Sequence, residues 1–169
     1  MSLDNLSRRA SNRPAVRERR LERIMARNQF WMTERIRVRF TEVDRQSIVQ
    51  NGAYFTYFSV ALNEYFRALP FDRDGENPGA GFHVVSAEIQ YRAPLRFDEL
   101  FDIGARISRV GRSSFTMAYE IFRADGEDAI ITGSQVWVNT DQTTRKATPL
   151  PDSFRDRVAA AEKQNVEFA

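Results

Sequence analysis

From Ala53 to Leu69 the chain reads AYFTYFSVALNEYFRAL, and this segment constrains the fold more than any other. Phe55, Phe58, Leu62, Tyr65, Phe66 and Leu69 recur at helical spacing, while Tyr54, Tyr57, Val60 and Ala61 carry the apolar surface around most of the cylinder. Such a helix is expected to be buried nearly all round. Pro70 is expected to end it, and the rest of the chain has to wrap it. Four strand-like runs follow, at Phe82–Arg92, Leu100–Val110, Ser114–Arg123 and Ala129–Asn139. Ala93-Pro94, Gly111-Arg112 and Asp125-Gly126 are the turn signals between them. The clearest alternation sets Phe101, Ile103, Ala105 and Ile107 against Asp102, Gly104, Arg106 and Ser108. A first strand starts near Thr33, with Ile36, Val38 and Phe40 alternating with Arg35, Arg37 and Arg39. A loop is expected over Asp72–Gly81, a short strand near Thr144–Thr148 and a terminal helix over Asp152–Gln164. One buried helix and a series of antiparallel strands give an α+β class, a curved sheet wrapped around a long central helix.

The 169 residues suit one domain. No apolar run approaches the roughly 18 residues of a membrane span. With no cysteine and His83 as the only histidine, thiolate nucleophiles, disulfides, cysteine-ligated zinc and histidine-pair metal sites are all excluded, and no metal is expected. The net charge of +2 hides a split, because residues 1–32 carry eight arginines against Asp4, Glu18 and Glu22, a net of +5. The expected division is a basic N-terminal extension over 1–32, with a disordered start and a short helix over Pro14–Arg27, followed by a domain over 33–169. The core then carries about −3, which argues against nucleic acid as a partner. No secretory signal is apparent, and a cytoplasmic location without membrane association is expected.

Nucleotide-binding glycine motifs, phosphate loops, HExxH, Gly-x-Ser-x-Gly and calcium loops are all missing. What remains is Asp44, seven and eight residues ahead of Asn51 and Gly52 at the start of the long helix. Unpaired amides and the positive dipole end there can hold a carbonyl oxygen as it gains charge, and Gly52 leaves room for approach. A carboxylate nearby can attack that carbonyl or activate a water. An aspartate before a helix can equally be a cap or turn residue. Glu42 stands two residues before it, with a solvated strand end as the alternative role.

The stretch from Val38-Arg-Phe-Thr-Glu-Val-Asp44 through Ile48-Val-Gln-Asn-Gly-Ala-Tyr54 to Tyr65-Phe-Arg-Ala-Leu69 resembles the opening of hotdog-fold acyl-CoA thioesterases of the 4-hydroxybenzoyl-CoA thioesterase-like type. Tyr91-Arg-Ala-Pro-Leu-Arg-Phe-Asp98, Arg109-Val-Gly-Arg-Ser-Ser-Phe115, Gly133 and Pro149-Leu-Pro-Asp152 extend the likeness over about residues 33 to 160. The resemblance implies a hotdog fold and an acyl-CoA thioesterase that releases a free acid and coenzyme A. Asp44 would be its catalytic aspartate, and the amides near Asn51 and Gly52 would receive the thioester carbonyl. Tyr54, Arg109, Arg112, Ser113 and Lys146 would contact substrate or coenzyme A, which is substrate here, so no cofactor is expected. Assembly as a homodimer or homotetramer is implied too. Ser47 departs from the pattern, which commonly has glycine there, and Ser59 stands where related sequences often carry a helical glutamate. Two other readings are a non-catalytic acyl-CoA sensor and a hotdog dehydratase. The dehydratase would need a catalytic histidine, and His83 is misplaced for one.

Overall fold

The computed structural model describes residues 27, 30–69 and 81–169. The expected leader helix, apart from Arg27, and the Asp72–Gly81 loop, apart from Gly81, lie outside these. Six strands form one sheet, β1 (Thr33–Arg37), β2 (Phe82–Tyr91), β3 (Leu100–Val110), β4 (Ser114–Arg123), β5 (Ala129–Asn139) and β6 (Glu167–Phe168). Their order is β1-β3-β4-β5-β2, all antiparallel, with β6 added parallel to β3. Register shifts at Val84/Ser86, Ile107/Arg109 and Ile121/Phe122 bend the strands. The sheet therefore curls around the central helix, Ala53–Ala68. Among the described residues no helix is long and apolar enough to cross a membrane.

The concave face is built from the period-2 pattern of β3 and β4. Phe101, Ile103, Ala105 and Ile107 are fully buried, as are Met117, Tyr119 and Ile121. Phe58 of the helix stacks on Tyr119 with ring centroids 4.5 Å apart and planes 6° from parallel. Opposite Tyr119 in the register is Gly133. A Cβ there would lie 2.5 Å from the Phe58 ring, so only glycine admits this contact.

The helix is less enclosed than its composition suggests. Ala53, Tyr54, Tyr57, Phe58, Ala61, Leu62 and Tyr65 are buried, but Thr56, Ser59, Val60, Asn63 and Arg67 form an exposed stripe. One sheet can cover only one side of a cylinder, and β2, at one end of the strand order, is itself largely exposed. Phe40 also departs from the expected strand pattern. The first strand ends at Arg37, and a 3-10 turn over Phe40–Glu42 swings Phe40 outward, leaving it 75% exposed. The expected strand at Thr144–Thr148 is replaced by a turn with a single bridge, Thr140 to Ala147. Asp141 caps that turn by accepting the amides of Thr143 and Thr144 at 3.0 and 2.6 Å, which competes with strand pairing.

The convex face of β3 is covered by the residues just before β1. Phe30 lies against Gly104, where a Cβ would clash with its ring, and meets Phe122 edge-on at 6.3 Å. Asp102 on the same face is 5% exposed and is held by both Arg27 and Arg35.

The C-terminal helix, Asp152–Glu162, buries Phe154, Val158 and Glu162 at four-residue intervals. Glu162 is 1% exposed. Its Oε1 accepts the Tyr65 hydroxyl at 2.7 Å, the Ile107 amide at 2.8 Å and the Trp31 indole N–H at 3.3 Å. Oε2 is buried with no hydrogen-bond partner among the described residues. Burial raises the carboxyl pKa above its ordinary 4.5 in spite of the three donors. The folded state thus binds this proton more tightly than the unfolded state does. The resulting stability is complete below the unfolded pKa and is lost as pH rises through the raised folded value. Glu162→Gln keeps an acceptor and cannot ionise, so its melting temperature should fall less than the wild type's between about pH 5 and pH 8. Parallel melting curves across that range would show that Glu162 does not carry the effect.

Candidate active site

The loop between the 3-10 turn and the central helix folds back on itself. The Asp44 amide donates to the Ile48 carbonyl at 2.9 Å, and the Ser47 amide to the Asp44 carbonyl at 3.0 Å. Ser47 has a φ of 59°, the left-handed conformation that glycine adopts freely and serine takes at a cost of roughly 1 kcal/mol. The loop is pinned from outside as well, by the Val49 amide on the Leu95 carbonyl at 2.9 Å and by a bridge from Ile48 to Arg96. The Asp44 side chain is exposed. Its Oδ1 accepts the Gln46 amide at 2.8 Å, the turn contact that aspartate commonly makes. Oδ2 makes no hydrogen bond among the described residues, which leaves one carboxylate oxygen for chemistry.

At the helix start the Ala53 amide donates to the Gln50 carbonyl and the Phe55 amide to the Gly52 carbonyl, at 3.0 and 3.2 Å. The amides of Asn51 and Gly52 have no backbone acceptor among the described residues. Gly52 has a helical φ of −68°, so the backbone does not demand glycine there. A Cβ built on it meets nothing within 4 Å. Beside the two amides lies an open cavity of about 240 Å³ lined by Ile48, Val49, Asn51, Tyr54, Tyr91 and Arg92, with Ala93 and Pro94. Tyr54 accepts the Leu95 amide on its hydroxyl at 3.3 Å and packs against Tyr91 at 5.4 Å. Burial pushes its pKa up, so it stays a neutral phenol at ordinary pH. Tyr91 donates its hydroxyl to the Asn51 carbonyl at 3.3 Å, holding the helix start from the sheet side.

A second tie comes from Glu42. Its Oε2 accepts both the Arg39 amide and the buried Tyr57 hydroxyl at 2.7 Å, and its carbonyl accepts the Gln50 amide at 2.9 Å. Glu42 therefore fastens the 3-10 turn, the helix and the residue before Asn51 to one another. Glu42 was considered beside Asp44, with a solvated strand end as its other role, and these bonds replace that role, whereas Tyr57, Tyr91 and Arg92 were not expected as part of the site. Tyr57 is indistinguishable from a core aromatic by periodicity, and a pair 15 residues apart leaves no local pattern.

The other expected contacts lie elsewhere. Asp44, Asn51 and Tyr54 stand where β2 and β4 end, whereas Arg109, Arg112, Ser113 and Lys146 stand where β3 ends and β4 begins. Strands of about ten residues separate the two groups by roughly 30 Å. Arg109 sits 3.7 Å from Glu167, a pair exposed on both sides. Arg112 and Ser113 present their carbonyls to the Leu150 and Asn139 amides at 2.8 Å each, and Lys146 offers its carbonyl to Asp141 at 3.0 Å. His83 is at this far end too, 3.5 Å from the Gln142 amide nitrogen and 3.4 Å from Arg145. Among the described residues no three His, Asp or Glu side chains are grouped to hold a metal ion.

Tyr57→Phe removes the hydroxyl but not the ring, and should cost about 1 kcal/mol locally. Hydrogen exchange at the Asp44 and Gln50 amides should accelerate about fivefold, while the Phe58–Tyr119 core stays protected. Unchanged exchange in the loop would show that Glu42 holds it without Tyr57.

The model of the thioesterase-like superfamily matches residues 38–158, which contain the whole site and four of the six strands. A candidate esterase of Aquifex aeolicus is 33% identical over 92 residues, covering 54% of this chain and 72% of its own. The candidate acyl-CoA thioesterase YneP of Bacillus subtilis is 28% identical over 130 residues, covering 76% and 93%. Among solved structures, a thioesterase from Thermus thermophilus in complex with coenzyme A and zinc superposes with a TM-score of 0.69 at 27% identity, over 79% of this chain and 96% of that one. A curved antiparallel sheet around one central helix, with a carboxylate loop and free amides at the helix start, thus coincides with the matched region. The chain belongs to the thioesterase-like superfamily and is a thioester hydrolase of the hotdog fold.

Proposed function

We propose that this enzyme hydrolyses acyl-coenzyme A thioesters to free acid and coenzyme A, with Asp44 as general base or nucleophile. What supports this reading is that one pinned loop carries an Asp44 carboxylate oxygen with no hydrogen bond and the Asn51 and Gly52 amides with no backbone acceptor among the described residues, with Asn51 lining the cavity. The thioester carbonyl oxygen would lie against those amides, which stabilise it as negative charge develops. Acting as a base, Asp44 takes a proton from a water whose oxygen bonds to the carbonyl carbon. The C–S bond then breaks, and the departing thiolate takes up the proton. As a nucleophile Asp44 would form an acyl anhydride first, which water then opens. The Thermus relative bound to coenzyme A and the name of YneP support coenzyme A as the thiol.

The basic residues at the far end fit this reading through a second copy of the chain. Among the described residues β2 hydrogen-bonds only to β5, and its other edge has no partner strand. Two copies joined antiparallel along β2 would set the Tyr91 end of one beside the Phe82 end of the other. That arrangement brings Arg109, Arg112, Ser113 and Lys146 of one copy toward the Asp44 loop of its neighbour. There the arginines could take coenzyme A phosphates with their bidentate forks. The exposed helix stripe would be covered in the same step. Light scattering at micromolar concentration should therefore give a mass of two or four times 19.6 kDa. A stable monomer would remove the shared site.

Asp44→Asn keeps the size and the Gln46 contact while removing the charge. With the best substrate of an acyl-CoA panel, kcat should fall on the order of 10² to 10⁴, the melting temperature should hold, and KM should stay or improve. A turn residue behaves oppositely, costing about 1 kcal/mol of stability and leaving kcat near wild type. Near wild-type kcat in the folded variant would end this mechanism.

A further inference from the structure

We infer that the enzyme selects acyl groups that carry a neutral oxygen far along an aliphatic chain, and that Gln135 and Trp137 on the inner face of β5 are the residues that read it. The inference rests on the thioesterase reading above and names an acyl class for the same site. Gln135 and Trp137 follow Gly133 at two-residue steps, so they share its face toward the central helix. Tyr119 donates its hydroxyl to Gln135 Oε1 at 2.9 Å, where Gln135 is 7% exposed and Tyr119 fully buried. Gln135 Nε2 makes no hydrogen bond among the described residues. The buried Trp137 indole N–H faces the Tyr119 oxygen closely enough to oppose the upward pKa shift that burial gives the phenol, but it completes no hydrogen bond. Donor hydrogens therefore outnumber acceptors in this cluster. A buried donor left unmade is costly, so a bound group that brings an oxygen there is favoured.

The surroundings define the rest of the ligand. Opposite Gln135 and Trp137 in the register stand Ala87 and Val84 of β2, which are exposed although they lie on the inner face. Phe66 of the central helix stacks on Phe82 at 6.1 Å, so that edge of the helix faces β2. Half-buried Phe55 and exposed Ser59 lie on the same edge. An open trough with mostly apolar walls thus runs between helix and β2, with Gln135 and Trp137 toward its floor. Such walls suit an aliphatic chain. No charged residue stands on the inner face of β2 or β5. A carboxylate would lose its water there without meeting a cation, whereas a hydroxyl or ketone oxygen needs only the N–H donors.

Position links the cluster to the site. Tyr91, whose hydroxyl meets the Asn51 carbonyl, stands at the near end of the trough. Ala87, beside Gln135, is four residues away along β2, about 13 Å. A thioester carbonyl held at the Asn51 and Gly52 amides would bring the end of an extended chain of about ten carbons to Gln135, farther than a single aromatic ring reaches. In the paired arrangement proposed above, the neighbouring copy roofs the trough, and a hydrogen bond shielded from water is the stronger for it. The reaction is the same hydrolysis, and only the choice among acyl groups is affected.

The test compares kcat/KM for decanoyl-CoA, ω-hydroxydecanoyl-CoA and the doubly acidic analogue decanedioyl-CoA. The wild type should favour the hydroxylated chain over decanoyl by about fivefold, the gain of one net hydrogen bond, and decanedioyl-CoA should be the poorest of the three. Gln135→Met nearly conserves volume, so decanoyl turnover should stay within about twofold. The same variant should reverse the preference, because the hydroxyl then leaves water for a place with fewer donors. Trp137→Phe keeps an aromatic ring and should lower the hydroxyl preference about twofold, which carries the test if Gln135→Met does not fold. Circular dichroism and melting curves establish which variants are folded. A wild type without the preference, or one that favours decanedioyl-CoA, would overturn the inference. So would a preference that survives in the folded variants, or equal losses on all three substrates, which would make Gln135 and Trp137 packing residues. Turnover of other acyl-CoAs but none of these three would overturn it and leave the proposed function standing, whereas turnover of no acyl-CoA would fail both.

Discussion

Everything in this molecule depends on the seating of Phe58 in the concave sheet. Its ring lies flat on Tyr119 and occupies the space that a side chain at position 133 would fill. The area buried by one such ring is worth about 2 kcal/mol, but its larger effect is geometric. It sets the depth and rotation of the central helix relative to β4 and β5. That rotation points the Tyr54 and Tyr57 edge of the helix toward the loop carrying Asp44, and leaves Ser59, Val60 and Asn63 facing outward. The helix start, with its free amides, is thereby presented at the end of the sheet rather than inside it.

The site is assembled from parts that are individually weak. An aspartate in a turn, two free amides and a tyrosine-lined cavity would each pass as ordinary structure. Their combination is held by hydrogen bonds from three directions: Leu95 and Arg96 on the strand side, Tyr91 on Asn51, and Glu42 between Tyr57 and Gln50. Ser47 in a left-handed conformation shows that the loop is kept in shape against a local preference. Preorganisation of this kind is what a carbonyl-polarising site requires, because donors that must first reorient contribute little to rate.

Both faces of the sheet carry structure. The concave side is filled by the helix, and the convex side of β3 by Arg27 and Phe30, with Asp102 held between Arg27 and Arg35. The residues preceding the first strand therefore contribute to packing as far back as Arg27. At the other end of the chain, Glu162 ties the C-terminal helix to Tyr65, Ile107 and Trp31, so a buried carboxyl joins four separate parts of the molecule.

The sequence by itself determined the elements that follow from period and punctuation. The alternation of Phe101, Ile103, Ala105 and Ile107 gave β3 with its bounds, the helical recurrence from Ala53 gave the central helix to within a residue, and turn dipeptides separated the strands. Those signals are local, because a side chain's direction follows directly from backbone period. Phe40 and Thr144–Thr148 show where that logic stops. A 3-10 turn rotates Phe40 out of the strand pattern, and Asp141 draws the later segment into a turn. Asp44, Asn51 and Gly52 stood out as candidates because they are close in the chain. Glu42 with Tyr57, Tyr91 with Asn51, and the separation of Arg109, Arg112, Ser113 and Lys146 from the Asp44 loop were decided only by the tertiary structure. Which residues meet across a curved sheet depends on register and bulges, and those are fixed by packing over the whole domain rather than by any short stretch of sequence.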